Sequence, residues 1–196
     1  MSLLLLDNHD SFTWNLVDLL RRNGKVNFKI VTPEQLEISE LSSYDQIIFS
    51  PGPGLPDEQP VMSQILGTVE ELWLHEGKKI AVFGVCLGMQ AIALHFGASL
   101  FNLPQVVHGQ PRKLNILKGD HPLFHRIQDG CEVGLYHSWA VDPSSLPECL
   151  ETLAVTNDGT IMALAHKTLP ICGVQFHPES IMTPTGSAML RNWLSS

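Results

Sequence analysis

The first half of the chain alternates short apolar runs with segments whose apolar residues recur every three or four positions. "LLLL" at 3–6 predicts a buried strand, which runs into the turn residues Asp7, Asn8 and Asp10. Phe12, Leu16, Leu19 and Leu20 then recur at helical spacing, with Ser11 as a candidate cap and Gly24 as a candidate stop. "VNFKIV" at 26–31 alternates as a strand, and "QIIFS" at 46–50 is another, closed by "PGPG". Val61, Ile65, Val69 and Leu72 mark a second helix that stops near Gly77. "KIAVFGV" at 79–85 is nearly continuous in apolar character, as a central strand covered on both faces must be. A helix is predicted from Leu87 to Phe96, ended by Gly97.

Alternation of strand and helix is the pattern of a parallel, doubly wound sheet. Beyond residue 100 the pattern changes. "QVVHG", "KLNIL", "EVGLYHSWAV", "ETLAV", "IMALAH" and "ICGVQF" read as short strands, and "TNDGT" at 156–160 is a hairpin turn signal. A last helix is predicted over 186–194. Nothing linker-like or repetitive divides the chain, so residues 1–196 are read as one α/β domain whose sheet has a β-rich C-terminal extension.

Composition narrows the function classes. The 20 Asp and Glu outnumber the 12 Lys and Arg, for a formal net charge of −8. The adjacent basic residues are the isolated pairs Arg21 with Arg22, Lys78 with Lys79 and Arg112 with Lys113, so a phosphate-binding surface for nucleic acid is not expected. The opening apolar run of four residues is too short for an export signal or a membrane span. Cys86, Cys131, Cys149 and Cys172 show no C-x-x-C spacing, which argues against a disulfide framework or zinc knuckle and for a reducing cytoplasm. Of the histidines, only His121 and His125 sit at helical spacing, and Pro122 interrupts them. No metal site is expected.

The chemistry starts at "FGVCLGMQ", residues 83–90. Cys86 stands at the end of the central strand, just before a helix, between Gly84 and Gly88. This is the G-x-nucleophile-x-G form of a nucleophile elbow, in which the glycines permit close backbone approach at a sharp turn. A helix N-terminus favours thiolate over thiol, and the N–H of Leu87 would face a developing oxyanion. The competing reading is a free cysteine packed as a small hydrophobe. A nucleophile also needs a base and a group that orients the base. "GVQFHPES" at 173–180 offers both: His177 at a strand end, and Glu179 across the restrictive Pro178. The competing reading is a chance pair on a surface loop. The H-x-E spacing also occurs in zinc deaminases, but their P-C-x-x-C is absent. "SPGPG" at 50–54 follows another strand, where Gly54 is placed to aim a second N–H at the oxyanion; alone it reads as a rigid turn.

Together these three motifs, in this order, resemble the triad-type (class I) glutamine amidotransferases over essentially the whole chain. The resemblance implies a flavodoxin-like α/β fold and hydrolysis of the glutamine side-chain amide through a γ-glutamyl thioester. It implies Cys86 as nucleophile, His177 and Glu179 as the rest of the triad, and Gly54 and Leu87 as oxyanion donors. Gly52 and Pro53 join them on the substrate side. Gln90, Ser138 and Trp139 match positions that bind L-glutamine; without the family, Trp139 would be read as core.

The amino terminus, "LLLLDNHDSFTWNLVDLL", is similar to the small subunits of anthranilate synthase and aminodeoxychorismate synthase, through Asp7, Asn8, Asp10, Ser11, Phe12 and Asn15. That branch implies a separate chorismate-binding synthase subunit that receives the ammonia, no cofactor on this chain, and magnesium only on the partner. Met89, Gln110 and Leu135 depart from residues common in the family: histidine, lysine and arginine respectively. The rivals are a γ-glutamyl hydrolase or cysteine peptidase of the same architecture, and a regulatory binding subunit without chemistry.

Overall fold

A computed structural model describes residues 2–23 and 27–196. The predicted stop at Gly24 and the predicted strand start at Val26 lie outside them. In chain order the elements are β1 (Ser2–Leu6), α1 (Thr13–Arg22), β2 (Asn27–Val31), β3 (Gln46–Phe49), α2 (Val61–Glu76), β4 (Ala81–Val85) and α3 (Leu87–His95). They continue with β5 (Leu100–Lys113), β6 (Asn115–Ile116), β7 (Glu132–Val141), β8 (Leu150–Val155), β9 (Ile161–His166), β10 (Ile171–Val174) and α4 (Gly186–Leu194).

The main sheet has eight strands in the order β2-β1-β3-β4-β10-β9-β8-β6. The run from β2 to β10 is parallel, and β9, β8 and β6 add antiparallel to it. The order of the parallel part is that of the flavodoxin-like doubly wound sheets. Leu3 and Leu5 face one layer with α1 and α4; Leu4 and Leu6 face the other with α2 and α3. The unbroken leucine run is therefore a strand buried on both faces.

The predicted extension of the sheet is only partly that. β5 and β7 leave it and pair with each other as a separate antiparallel ribbon. Two register shifts, between Asn102 and Val107 and between His108 and Gln110, twist this ribbon away from the flat pairing of the main sheet. The capping of α1 also differs from expectation. The N-cap is Phe12, without a side-chain cap bond of its own, and Ser11 does not serve. Asp10 does the work instead: its carboxylate accepts from the Phe12 N–H at 2.7 Å, while Asp7 accepts from the Thr13 hydroxyl at 2.8 Å. The Asp10 bond is an Asx turn that leads the chain into the helix.

Gly84 and Gly88 let α3 lie directly on the sheet. A Cβ on Gly84 would stand 2.5 Å from the Gly88 carbonyl oxygen, and one on Gly88 would stand 2.6 Å from Phe49 Cβ on β3. Side chains at these positions would push α3, and Cys86 at its head, off the strand ends.

Candidate active site

The ends of four parallel strands converge on one edge of the sheet. β1 delivers Asn8, β3 the "SPGPG" loop, β4 Cys86, and β10 the segment from Gln175 to Glu179. Asn8 is fully buried and ties two of these ends together: its N–H donates to Ser50 Oγ and its side-chain amide to the Ser50 carbonyl, both at 2.9 Å. Gly52 then fits between Leu87 and Asn8, where a Cβ would sit 2.5 Å from Leu87 Cδ2.

Cys86 adopts φ 53° and ψ −102°, a backbone conformation unfavourable for any residue with a Cβ. The strain fits the elbow reading: the turn is forced by its anchors, the Cys86 N–H on the Val174 carbonyl at 2.8 Å and the first helical bond from Gln90 N–H to the Cys86 carbonyl at 3.1 Å. The thiol is 8% exposed, at the floor of a cavity of about 180 Å³. That cavity is lined by Gly52, Gly54, Leu87, Gln90, Tyr136, His137, Ser138 and Trp139 as well. Six of the seven residues expected on the substrate side thus meet around Cys86. Pro53 does not line the cavity; it is exposed on the outside of the loop. Trp139 lines the cavity wall and is only partly buried, so it is not a core residue.

His177 and Glu179 lie behind the thiol. His177 Nδ1 bonds Glu179 Oε1 at 2.7 Å, with the two side chains only 3% and 0% exposed. The imidazole is wedged between Phe12 and Tyr136, with ring centroids 5.0 and 4.9 Å away. Nε2 forms no hydrogen bond of ordinary geometry, yet the Cys86 sulfur acts on this ring through hydrogen bonding and charge. The thiol thus acts on the imidazole without a hydrogen bond of ordinary geometry to Nε2, and catalytic hydrogen bonds often tighten only when substrate is bound. Burial alone would lower the imidazole, but Cys86 and Glu179 together overcome it and raise His177 to about 10. These two groups favour the charged imidazolium, and an imidazolium beside a sulfur is the arrangement that makes a cysteine nucleophilic. Cys172, on β10, is the opposite case: nothing but burial acts on it, and its thiol is pushed up to about 12.

Residue patterns missed two members of the site. Gln175, fully buried just after β10, turns its amide towards both Cys86 and Gln90. The signal was present as one polar residue between Val174 and Phe176, but an amide in an apolar run does not say which way it points. His137 was passed over beside its neighbours. It is 5% exposed, its Nδ1 bonds the Trp139 carbonyl at 2.9 Å, and burial pushes its ring below the usual histidine range. Of the three departures from the family pattern, Met89 is buried on α3, over Gly173 of β10. Gln110 and Leu135 face each other across the β5–β7 ribbon.

A doubly wound sheet with a strained cysteine elbow and a buried His–Glu pair defines a class of enzyme. Residues 4–196 match the family "Glutamine amidotransferase class-I", and the chain belongs to that family. It is 38% identical over 99% of its length to the "Aminodeoxychorismate/anthranilate synthase component 2" of Bacillus subtilis, covering 96% of that protein. It is 39% identical over 98% of its length to the "Anthranilate synthase component 2" of Pseudomonas aeruginosa, covering 94% of that protein. A glutamine amidotransferase structure from Thermotoga maritima superposes with a TM-score of 0.79 at 16% identity, covering all of this chain and 96% of the other, which supports the fold.

Proposed function

We propose that this chain is the glutaminase subunit of a chorismate-using synthase: it hydrolyses L-glutamine at Cys86 and hands the ammonia to a partner. The observation that carries this reading is the strained Cys86 elbow at a cavity lined by Gln90 and Trp139, together with the buried His177–Glu179 pair outside that lining.

The glutamine side chain enters with its amide over Cys86. Gln90 donates its own Nε2 to the Trp139 carbonyl at 2.8 Å, and its Oε1, with no partner among the described residues, is left to accept from the substrate's α-ammonium. Gly52 and Ser138 close the sides of the cavity. The Cys86 thiolate adds to the amide carbonyl carbon, and the oxyanion accepts from the N–H groups of Gly54 and Leu87. The His177 imidazolium gives its Nε2 proton to the amide nitrogen; the C–N bond breaks and ammonia leaves, with a γ-glutamyl thioester on the sulfur. Neutral His177 then takes a proton from water, whose oxygen attacks the thioester. The thiolate is expelled, glutamate departs, and His177 ends protonated again. Glu179 holds the ring and balances its charge throughout.

No step needs an electron carrier or a metal on this chain. Among the described residues no three His, Cys, Asp or Glu side chains gather as a metal site, and no helix is long and apolar enough to cross a membrane. Chorismate belongs to the partner, a reading supported by relatives named as component 2 of anthranilate or aminodeoxychorismate synthase, and magnesium is expected only there.

The test is glutamate release from glutamine, measured alone and with each candidate chorismate-binding subunit, with Cys86→Ser as control. Weak turnover alone, stimulation by one subunit and loss in the variant are expected. Full turnover without a partner would overturn the subunit role, and hydrolysis of γ-glutamyl peptides in preference to glutamine would favour a hydrolase. No cysteine-dependent release under any condition would leave a binding subunit.

A further inference from the structure

We propose that Gln175 is a positioning residue for the nucleophile: its side-chain amide holds the Cys86 sulfur as thiolate and ties it to the amide of Gln90. The proposal rests on the reading of Cys86 as nucleophile given above.

Three amide groups form one chain. Gln90 Nε2 donates to the Trp139 carbonyl at 2.8 Å and to Gln175 Oε1 at 3.1 Å; Gln175 Nε2 donates to Cys86 Sγ at 3.5 Å. The direction of the chain is forced. A backbone carbonyl only accepts, so Gln90 must turn its NH₂ towards Trp139. That NH₂ has a second hydrogen, which needs an acceptor, so Gln175 must present its oxygen there. The remaining end of Gln175, the one at the sulfur, is then its NH₂. An amide flip at either residue would bring two acceptors or two donors together.

A donor aimed at sulfur favours the charged form, and hydrogen bonds to ionised groups are the strong ones. The position does not otherwise call for an amide. Val174 and Phe176 on either side are fully buried hydrophobes, and a buried amide is costly unless its groups are matched. The main chain of Gln175 is fixed independently, its N–H donating to the Met162 carbonyl at 2.8 Å, so the side chain is not needed to hold the segment. The arrangement links substrate recognition to the nucleophile: a ligand that pulls on Gln90 moves the group that steadies the thiolate.

Two variants separate the parts. Gln175→Met keeps the length and removes both polar contacts; Gln175→Glu keeps the acceptor towards Gln90 and replaces the donor at sulfur. The readouts are the pH profile of Cys86 alkylation by iodoacetamide, followed on the Cys86 peptide by mass spectrometry, and kcat and KM for glutamine with the partner subunit present. The alkylation midpoint is expected to move up by about one pH unit in Gln175→Met and at least as far in Gln175→Glu. The kcat should fall about tenfold to a hundredfold, with KM within about threefold. A purely structural role would lower the unfolding temperature and leave the alkylation midpoint unmoved, and that result overturns the proposal.

Should neither variant fold, the intact protein still decides. The ¹⁵N resonance of the Gln175 side-chain amide should follow the Cys86 titration and lose that response in Cys86→Ala; an identical pH response in both proteins overturns the proposal. Wild-type protein that never hydrolyses glutamine would sink the amidotransferase reading instead, and the alkylation profile would still judge Gln175.

Discussion

The parallel part of the sheet and the β5–β7 ribbon meet at the same cavity but contribute to it in different ways. The parallel strands end in residues fixed by backbone contact: Cys86 at φ 53°, Gly84 and Gly88 pressed between α3 and the sheet, and His177 buried with Glu179. The ribbon reaches the cavity through Tyr136, His137, Ser138 and Trp139, on strands with two register shifts. Nucleophile and base need sub-ångström placement, which close-packed backbone provides. Substrate side chains tolerate more slack. On the proposed function, chemistry falls on the close-packed layer and recognition partly on the ribbon.

The largest effect expected from this division is chemical. Cys86→Ala should lower kcat for glutamine hydrolysis by about 10⁴-fold or more while leaving the fold intact. Cys172→Ala, on the same layer but with an inert buried thiol, should cost about 1–2 kcal/mol of stability and no turnover per folded molecule. Glutaminase assays set against denaturant unfolding of the two variants separate these outcomes, and retained turnover in Cys86→Ala would remove the chemistry from the parallel layer.

Glycines sharpen the contrast. Gly88→Ala drives a methyl group into Phe49 Cβ, 2.6 Å away, in a layer that cannot move. A loss of about 3 kcal/mol or more is expected, with activity falling alongside. Gly109 on the ribbon has φ 63°, but a Cβ there meets only the Tyr136 ring at 3.8 Å. Gly109→Ala should therefore cost about 1 kcal/mol, from the left-handed backbone alone. Urea midpoints measure both, and equal losses would show that the ribbon is packed as tightly as the sheet.

The sign of one pH effect follows from His177. Its value in the folded protein is raised from 6.5 to about 10, so its ion pairing adds stability that is complete below pH 6.5 and is lost as pH climbs through about 10. The stability advantage of the wild type over His177→Gln should shrink across that window. Unfolding curves at pH 6, 8 and 10 check it; a constant gap would mean that the imidazolium is not paired.

Much of this was legible in the sequence, for a physical reason. Strands buried on both faces must be apolar almost without interruption, so 3–6, 46–50 and 79–85 announced themselves, and α2 ends at Gly77 as its spacing and left-handed cap require. The His177–Glu179 pairing followed from the restriction at Pro178. What stayed hidden depends on contacts between distant segments. Periodicity cannot tell whether a strand joins the main sheet or pairs apart, as β5 and β7 do. Nor can it tell that Gly84 and Gly88 are needed against each other and Phe49, or that Asp10 and not Ser11 bonds the backbone ahead of α1. Gln175 was in plain view within "GVQFHPES", and only the positions of Gln90 and Cys86 give its amide a direction.

Recognition on the ribbon should respond more mildly than chemistry on the sheet. The Trp139 carbonyl accepts from both His137 Nδ1 and Gln90 Nε2, so His137→Phe removes one of the two bonds that fix the carbonyl to which the Gln90 amide donates. A rise in KM of about tenfold with kcat within about threefold is expected. Steady-state kinetics with the partner present check it, and a fall in kcat at unchanged KM would move His137 into the chemistry.

The smallest effect is expected at Tyr136, and it is the sharpest test of the division because this ribbon residue touches the base itself. Its ring lies 4.9 Å from the His177 ring and 5.0 Å from Phe12, while its hydroxyl bonds Ser180 Oγ at 3.1 Å. Tyr136→Phe keeps the edge-to-face ring contact and removes only the hydroxyl. If Tyr136 merely shelters the imidazole, the variant should lose about 1 kcal/mol of stability and keep kcat within about threefold. Tyr136→Ala removes the ring contact, admits water beside His177 and should cut kcat further than the phenylalanine variant does. If the phenylalanine variant alone loses kcat a hundredfold, the hydroxyl takes part in proton transfer. The ribbon would then carry chemistry as well as recognition, and rigidity would no longer explain which residues sit on which layer.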